Sequence, residues 1–454
     1  MLNLLYAILL LEGFITISIE VLTIRQLLPF FGGSVLITSI IIGFFLLFLA
    51  LGYWRGGVYQ DKFFQQLCRN FSLSMIWIGI GLSYSFIALF YYLTAFQANM
   101  PFLLSLGLYL LLVLAPIVYW LGQTVPITTN LFSREQRVSR ISGSALFLST
   151  IGSFLGAILT SLLLFHYLGV AWTVAVNCIL LFLLVLLLYR KETFSFMRLA
   201  LLFVGLVFIL FLNVDIERHT FIRTNNYGNY RIIESSVLSR VLQINQSSSS
   251  LITPDKMAYP YIEMIRKILF EDLKFRHKKI LVIGAGGFTF TAAGTYNNAV
   301  TYVDIDPDIK KLAEQYFLLE PVRGQFIGQD ARRYLQQTSE RYDAIVSDVY
   351  SHQATIPQAL LTVEYFQSLA SHLSEGGLLI VNIIADPLFQ DEYSQRVYNT
   401  IHAAFPFCAV SPLNWSYPLA NILYICPNLA KEPTLYRDDL TTSTIDFFKR
   451  SHLR

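Results

Sequence analysis

Residues 279–306 read KILVIGAGGFTFTAAGTYNNAVTYVDID. An apolar run, Ile280 to Ile283, ends in three glycines, Gly284, Gly286 and Gly287, and the next apolar run ends in Asp304 and Asp306. Glycines let a backbone approach a ligand closely, and an acid at the tip of the next strand can hold two ribose hydroxyls. The interval from Gly284 to Asp304 fits a nucleoside-binding βαβ unit, with Gly284 and Gly286 making room for the ligand and Asp304 on the ribose. Two later apolar runs also end in acids, at Gln329-Asp330 and at Asp348. Asp330 suits either an adenine amino group or a helix N-cap, and Asp348 suits either the reaction space or a plain strand-end turn. Asp306, followed by Pro307, suits helix capping.

These residues need a frame that gathers strand tips on one edge. The alternation predicts a helix over 259–270, strand 280–283, helix 288–296, strand 300–304, helix 307–318 and strand 325–327. A helix from Asp330, strand 343–347, helix 362–373, strand 378–384, helix 389–404 and late strands near 407–411 and 421–426 complete it. Strands alternating with helices make a parallel doubly wound sheet, whose ligands sit outside the carboxyl ends of the strands. Residues 227–253 read as strands around a serine-rich turn, Ser247 to Ser250.

Ahead of this half lie some two hundred residues of another character. The 454-residue chain is 55% hydrophobic and 14% charged, with a mean hydropathy of +0.54. Runs near 3–24, 35–53, 72–95, 101–121, 141–165, 170–189 and 195–214 have the length a bilayer core demands. Of the 33 Lys and Arg, 23 lie beyond Val214. The expected fold is therefore a multi-pass α-helical membrane domain of about seven segments, a small β-element, and a doubly wound α/β sheet. The expected boundaries are 1–214, 215–256 and 257–454. The first segment lacks a small-residue cleavage site and reads as a retained span. The net charge of +3 is too small to suggest nucleic acid. Four scattered cysteines, Cys68, Cys178, Cys408 and Cys426, suggest neither a zinc site nor a disulfide framework, although the last two fall near neighbouring late strands. No metal is expected.

Loop charge is lopsided. Arg55, Lys62 and Arg69 follow the second segment, Arg134, Arg137 and Arg140 the fourth, and Arg190, Lys191 and Arg198 the sixth, whereas the alternate loops hold only Arg25. The positive-inside rule puts the basic loops and the N-terminus in the cytoplasm, so seven spans leave the soluble half outside. Nucleoside-type ligands are supplied in the cytoplasm, which points the other way unless one segment, the first or the seventh, does not cross. Glu12, Glu20 and Arg25 sit in or beside the first segment, where Glu20 and Arg25 can pair, Arg25 can snorkel, or the acids can form a polar site. Ser149, Gly152, Gly156 and Thr160 recur at every third or fourth position and suit close helix packing.

The soluble half resembles the spermidine synthase family of aminopropyltransferases, and the whole chain resembles its membrane-fused bacterial branch. The resemblance is carried by Gly13-Phe14, Glu20-Val21 and Arg25, by Ala50-Leu51-Gly52 and Gly56-Gly57, and by Asp348, Ile356, Pro357, Leu360, Leu361, Thr362 and Glu364. It implies an α/β Rossmann-like, methyltransferase-type sheet, a role in polyamine biosynthesis and a multi-pass protein of the bacterial cytoplasmic membrane. It implies that Asp348 activates an acceptor amine, which attacks the aminopropyl carbon of decarboxylated S-adenosylmethionine. It places Tyr259 on the substrate, where Tyr350, His352 and Gln353 are further candidates, the last two as partial substitutes for lost acids; the strand-tip residues Gly284, Gly286, Gly287, Asp304 and Asp330 are the donor candidates. Partners would be a small amine or a lipid among membrane lipids, with room for a homodimer. Three acids of the soluble family are replaced, by Gly287 in the glycine loop, by Ser351 after Asp348 and by Tyr261. These losses weaken the case for a polyamine and admit full S-adenosylmethionine. Three readings follow: an aminopropyltransferase, a methyltransferase acting on a lipid or a membrane-borne amine, and a non-catalytic sensor or transporter that binds polyamines or nucleosides.

Overall fold

The computed structural model describes residues 2–132, 137–190, 195–235, 238–350 and 356–429. Six helices are long and apolar enough to cross a membrane: Leu2–Phe31, Val35–Gly57, Phe102–Thr129, Val138–Leu168, Val170–Leu188 and Phe196–Thr220. The third expected segment is broken instead, with Phe63–Gly81 and Tyr84–Gln97 bent by 62° at Leu82-Ser83. Ser83 caps the second piece by accepting from the Phe86 amide, which is why the chain turns there. Tyr91 and Phe102 both pack on Phe31, so the second piece stays at the end of the bundle that holds Phe31. The pair therefore amounts to one crossing, and the last helix continues past Val214 to Thr220. The N-terminal half is a multi-pass membrane segment by length and composition.

Small residues set the closest helix contact. A Cβ on Gly13 would lie 2.0 Å from the Ser149 carbonyl oxygen, one on Gly152 2.0 Å from that of Leu10, and one on Gly156 2.3 Å from that of Phe14. Helices Leu2–Phe31 and Val138–Leu168 thus run parallel, backbone against backbone, in the manner of small-residue interfaces in lipid. Polar groups between them are satisfied locally. Glu12 accepts from Thr16 (3.0 Å) and Ser149 (3.1 Å), and Thr160 donates to Ser18 (2.8 Å).

The soluble half begins with an antiparallel sheet, β1 (Arg223–Thr224), β2 (Asn229–Glu234), β3 (Arg240–Ile244) and β4 (Ser247–Ile252). The serine run is not the turn the sequence suggested. The turn falls at Asn245-Gln246, where Asn245 takes φ +57°, and the serines form β4. Asn tolerates the left-handed region, whereas serine offers no such advantage.

Seven further strands follow: β5 (Lys279–Ile283), β6 (Ala299–Asp304), β7 (Gln325–Gly328), β8 (Tyr342–Ser347), β9 (Leu373–Ala385), β10 (Ala409–Pro412) and β11 (Ala420–Pro427). They order as β10-β11-β9-β8-β5-β6-β7. The sheet is mixed, because β11 runs antiparallel to both β9 and β10. That arrangement is Rossmann-like and of the methyltransferase type. Side chains alternate on β5. Ile280 and Val282 enter a core with Ile265, Leu269 and Tyr302, and Leu281 and Ile283 enter another with Ile345, Tyr365 and Phe366. A strand apolar on both faces must be covered on both, which buries it mid-sheet. The expected helix over 288–296 is absent. A 3₁₀ turn, Thr289–Thr291, stands there, because Gly294 at φ +136° and two further left-handed residues, Tyr296 and Asn297, break any helix. Cys408, just before β10, and Cys426 in β11 form a disulfide; the sequence shows no disulfide framework but sets this pair near neighbouring late strands.

Candidate functional site

Every strand tip named by the sequence converges on one cavity of about 420 Å³. Its walls include Gly284 and Gly286 after β5, Asp304 ending β6, Gln329 and Asp330 after β7, and Asp348 and Tyr350 after β8. Tyr259 lines it from the residue preceding helix Pro260–Arg266. His352 and Gln353 lie outside the described residues, as does Ser351.

The glycines serve the protein's own geometry as much as a ligand's. Gly284 has φ +87°, and a Cβ there would meet the Asp348 carbonyl oxygen at 2.0 Å. The tips of β5 and β8 can approach only over a glycine. Gly286 has φ +49°, and its Cβ would meet Ser250 Oγ at 2.9 Å. Gly287 does not line the cavity. It turns toward the core, where a Cβ would lie 2.3 Å from Phe317, and its N–H donates to Ser250 Oγ at 2.8 Å.

Asp304 accepts from the Ala285 amide (2.9 Å) and the Asp306 amide (3.0 Å). Burial raises its pKa, and these amide hydrogen bonds pull it part of the way back. Its carboxylate thus clasps the glycine loop while lining the cavity. Asp330 caps helix Ala331–Gln337 by accepting from the Arg333 amide at 2.9 Å, and it is solvent-exposed at the cavity wall. Asp306 does more than cap. It is buried, accepts from Asp308 N (2.9 Å) and Asn225 Nδ2 (2.8 Å), and takes a short hydrogen bond from the Tyr230 hydroxyl.

Asp348 is held on both oxygens. The Tyr261 hydroxyl donates to one at 2.8 Å and Asn382 Nδ2 to the other at 2.9 Å. Burial raises the Asp348 pKa, while the two donors oppose the rise. Tyr261 is pushed well above the usual tyrosine value, by burial first and then by the Asp348 charge, so it remains a donor. Tyr350 donates to the Asn382 carbonyl (3.0 Å) and accepts from the Ile384 amide (2.8 Å), bracing β9 beside Asp348.

The sequence reading did not single out the β4 serines, Asn382 or Asn421 on the walls. The serines were read as a turn, and the two asparagines sit inside apolar strands. An amide in an otherwise hydrocarbon strand is the signal that marks both. Arg25 was expected to pair with Glu20 or to snorkel. It is buried instead, and reaches out of its helix to the Asn225 carbonyl (2.6 Å) and Asn229 Oδ1 (2.8 Å).

Residues 259–425 match the spermine/spermidine synthase domain. The chain is similar to a polyamine aminopropyltransferase of Vibrio vulnificus (strain CMCP6), with 29% identity over 160 residues, covering 33% of this chain and 52% of that protein. It is also similar to a probable polyamine aminopropyl transferase of Bifidobacterium longum (strain NCC 2705), 31% identical over 127 residues and 28% of each. The chain thus spans about half, or less, of the length of these two relatives. Among solved structures, a probable spermidine synthase from Corynebacterium glutamicum ATCC 13032 aligns with a TM-score of 0.39 and 20% identity, over 49% of this chain and 83% of that one. Over residues 259–425, this chain is thus similar to the spermine/spermidine synthase domain.

Proposed function

We propose that the chain is a membrane-anchored transferase that moves an aminopropyl group from decarboxylated S-adenosylmethionine to an amine. The observation that carries this reading is Asp348, half-buried at a strand tip and oriented through both oxygens by Tyr261 and Asn382. An acceptor amine is cationic in water and must lose a proton before it can attack. Asp348 takes that proton, and its raised pKa makes it a better base than an exposed aspartate. The nitrogen lone pair then forms a bond to the aminopropyl carbon. The carbon–sulfur bond breaks, its electron pair stays on sulfur, and a neutral thioether leaves. Positioning supplies much of the remaining rate. Asp304 would hold the ribose, and the free oxygen of Asp330 the adenine edge.

A second reading, methyl transfer from S-adenosylmethionine, is favoured by Gly287. The acid that the resemblance places there cannot stand in this chain unless buried Phe317 moves, so nothing at that position repels a donor carboxylate. Product analysis by mass spectrometry separates the two. Membranes given each donor and a panel of amines should release methylthioadenosine and an aminopropylated amine. S-adenosylhomocysteine with a methylated product establishes the second reading, and no consumption of either donor defeats both.

We place the protein in the bacterial cytoplasmic membrane with its basic loops inside and the soluble half on the opposite face. Arg55 ends helix Val35–Gly57, and Arg69 and Arg198 open helices Phe63–Gly81 and Phe196–Thr220, all at one end of the bundle. The soluble half docks at the other end, where Arg25, Tyr84 and the Val170 amide touch Asn225, Gln246 and Thr224. The Cys408–Cys426 disulfide suits an oxidising compartment and supports the same side. This placement requires the donor to be carried across. A single cysteine introduced at exposed Glu340 should react with a membrane-impermeant maleimide in intact cells; labelling only after lysis reverses the placement.

A further inference from the structure

We propose that the acceptor presents one basic amine on an apolar or aromatic body, not two amines. The proposal rests on the reading of Asp348 as the acceptor-side carboxylate. The cavity is asymmetric in charge. Asp304 and Asp330 stand at the tips of β6 and β7, where a nucleoside would lie, and Asp348 is the lone carboxylate lining the β8–β9 side among the described residues. The segment from Val349 to Val363 contains no Asp or Glu. Nearby acids are engaged elsewhere. Glu263 pairs with Arg266 (2.5 Å) and accepts from the Ala258 amide (2.6 Å), and Asp386 accepts from the amides of Leu388 and Gln390.

The groups around Asp348 add no second seat for an amine. Asn382 gives its amide N–H to Asp348, and its carbonyl oxygen Oδ1 is buried with no partner among the described residues. That oxygen is shut off from the cavity, so an acceptor amine meets the Asp348 carboxylate alone. The single carboxylate makes a seat for one amine. Beyond it the wall turns apolar and aromatic. Tyr259 and Tyr261 stack with centroids 6.3 Å apart and planes 18° apart, and Ile384 and Leu360 complete the surface. A second ammonium would give up its water for methyl groups and ring faces, whose attraction for a cation replaces only part of its hydration, with no carboxylate to neutralise it. A hydrocarbon or ring would lose nothing.

The test uses the full chain in membranes or detergent, with methylthioadenosine filling the nucleoside end. Butylamine, pentylamine and phenethylamine are compared with 1,4-diaminobutane and 1,5-diaminopentane by thermal shift and, where turnover occurs, by kcat/KM. The monoamines should bind and react at least about tenfold better than the diamines of matched length. Equal or better binding of the diamines overturns the proposal, and so does failure of every amine to shift the melt. Monoamine-selective binding without turnover upholds the acceptor class and defeats the transfer reading. Tyr261→Glu supplies a second test, since a carboxylate at that position should move the preference toward diamines. An unchanged ratio in a folded variant refutes the assignment of selectivity to this wall.

Discussion

Replacing Tyr261 by Phe isolates the hydrogen bond that tunes Asp348. The change removes one hydroxyl, which donates to the Asp348 carboxylate at 2.8 Å, and leaves the ring in place. Tyr261 is buried, so water is poorly placed to replace it. Hydrogen bonds to charged groups contribute about 1.5–3 kcal/mol, and the low end applies because Asp348 is only half-buried. One pH unit of titration corresponds to about 1.36 kcal/mol, so the loss moves the Asp348 titration by about one unit. The sign follows from which state is stabilised. The phenol donates to the ionised form, so its removal favours the protonated form and raises the pKa further. Activity that needs ionised Asp348 rises with pH through that pKa, and the acid limb of the kcat/KM profile should move upward by about one unit while the plateau is nearly kept. The assay is thioether release across pH 5 to 9 at saturating donor. A limb that stays in place, or a loss uniform at every pH, would falsify the assignment of Asp348 as the titrating base.

Asp348→Asn should retain the fold, because Asn382 can turn its unpartnered oxygen toward the new amide, and should lower turnover by about 10²- to 10⁴-fold. The same variant should melt higher than wild type at pH 7.5. A carboxyl whose folded pKa lies above its unfolded value costs stability once pH exceeds both, and the difference should fade as the pH falls toward 4. Gly284→Ala should destabilise the soluble half by about 2 kcal/mol or more, since its methyl would lie 2.0 Å from the Asp348 carbonyl at a positive φ; denaturant titration followed by tryptophan fluorescence reads it. Replacing Cys408 and Cys426 by Ser opens a loop of 18 residues and should cost about 3 kcal/mol, with no further loss on adding reductant. Arg25→Gln should raise the donor KM more than it lowers kcat, because it loosens the β6 tip without touching the acceptor side.

The strand order of chemistry was legible because each acid ends an apolar run. Asp304 and Asp348 follow Val303 and Ser347 out of buried strands, and a strand that leaves its core on a charge announces its tip. The membrane spans were legible by length, except at Leu82-Ser83, where a capping serine inside a hydrophobic run looks like any other small residue. The β4 serines were misread for a related reason. Four serines in a row suit a turn by composition, and only the pairing of Leu242 with Ser250 and Gln243 with Ser248 makes them a strand. The disulfide depended on register as well. Ala409 lies opposite Ile425, which brings Cys408 to Cys426, and no spacing rule gives that register.

Arg25 carries the part that sequence reasoning could not reach, and it explains why the two halves are joined. A helix that only anchors an enzyme has no need of a buried guanidinium at its end. Here the guanidinium of Arg25 leaves the membrane helix and binds the Asn225 carbonyl, and the Asn225 side chain binds Asp306. The Asp306 amide in turn donates to Asp304, the acid that clasps the glycine loop. The Arg25 and Asn225 links are buried hydrogen bonds, whose loss would leave unpaired polar groups, and the two on Asp304 are part-buried. Close packing of Gly13 against Ser149 fixes the other end of that helix to its neighbour. The path thus runs from the helix pair to Asp304 at the β6 tip, while Asp348, held by Tyr261 and Asn382, lies off it. The membrane block is in this way wired to the donor half of the site.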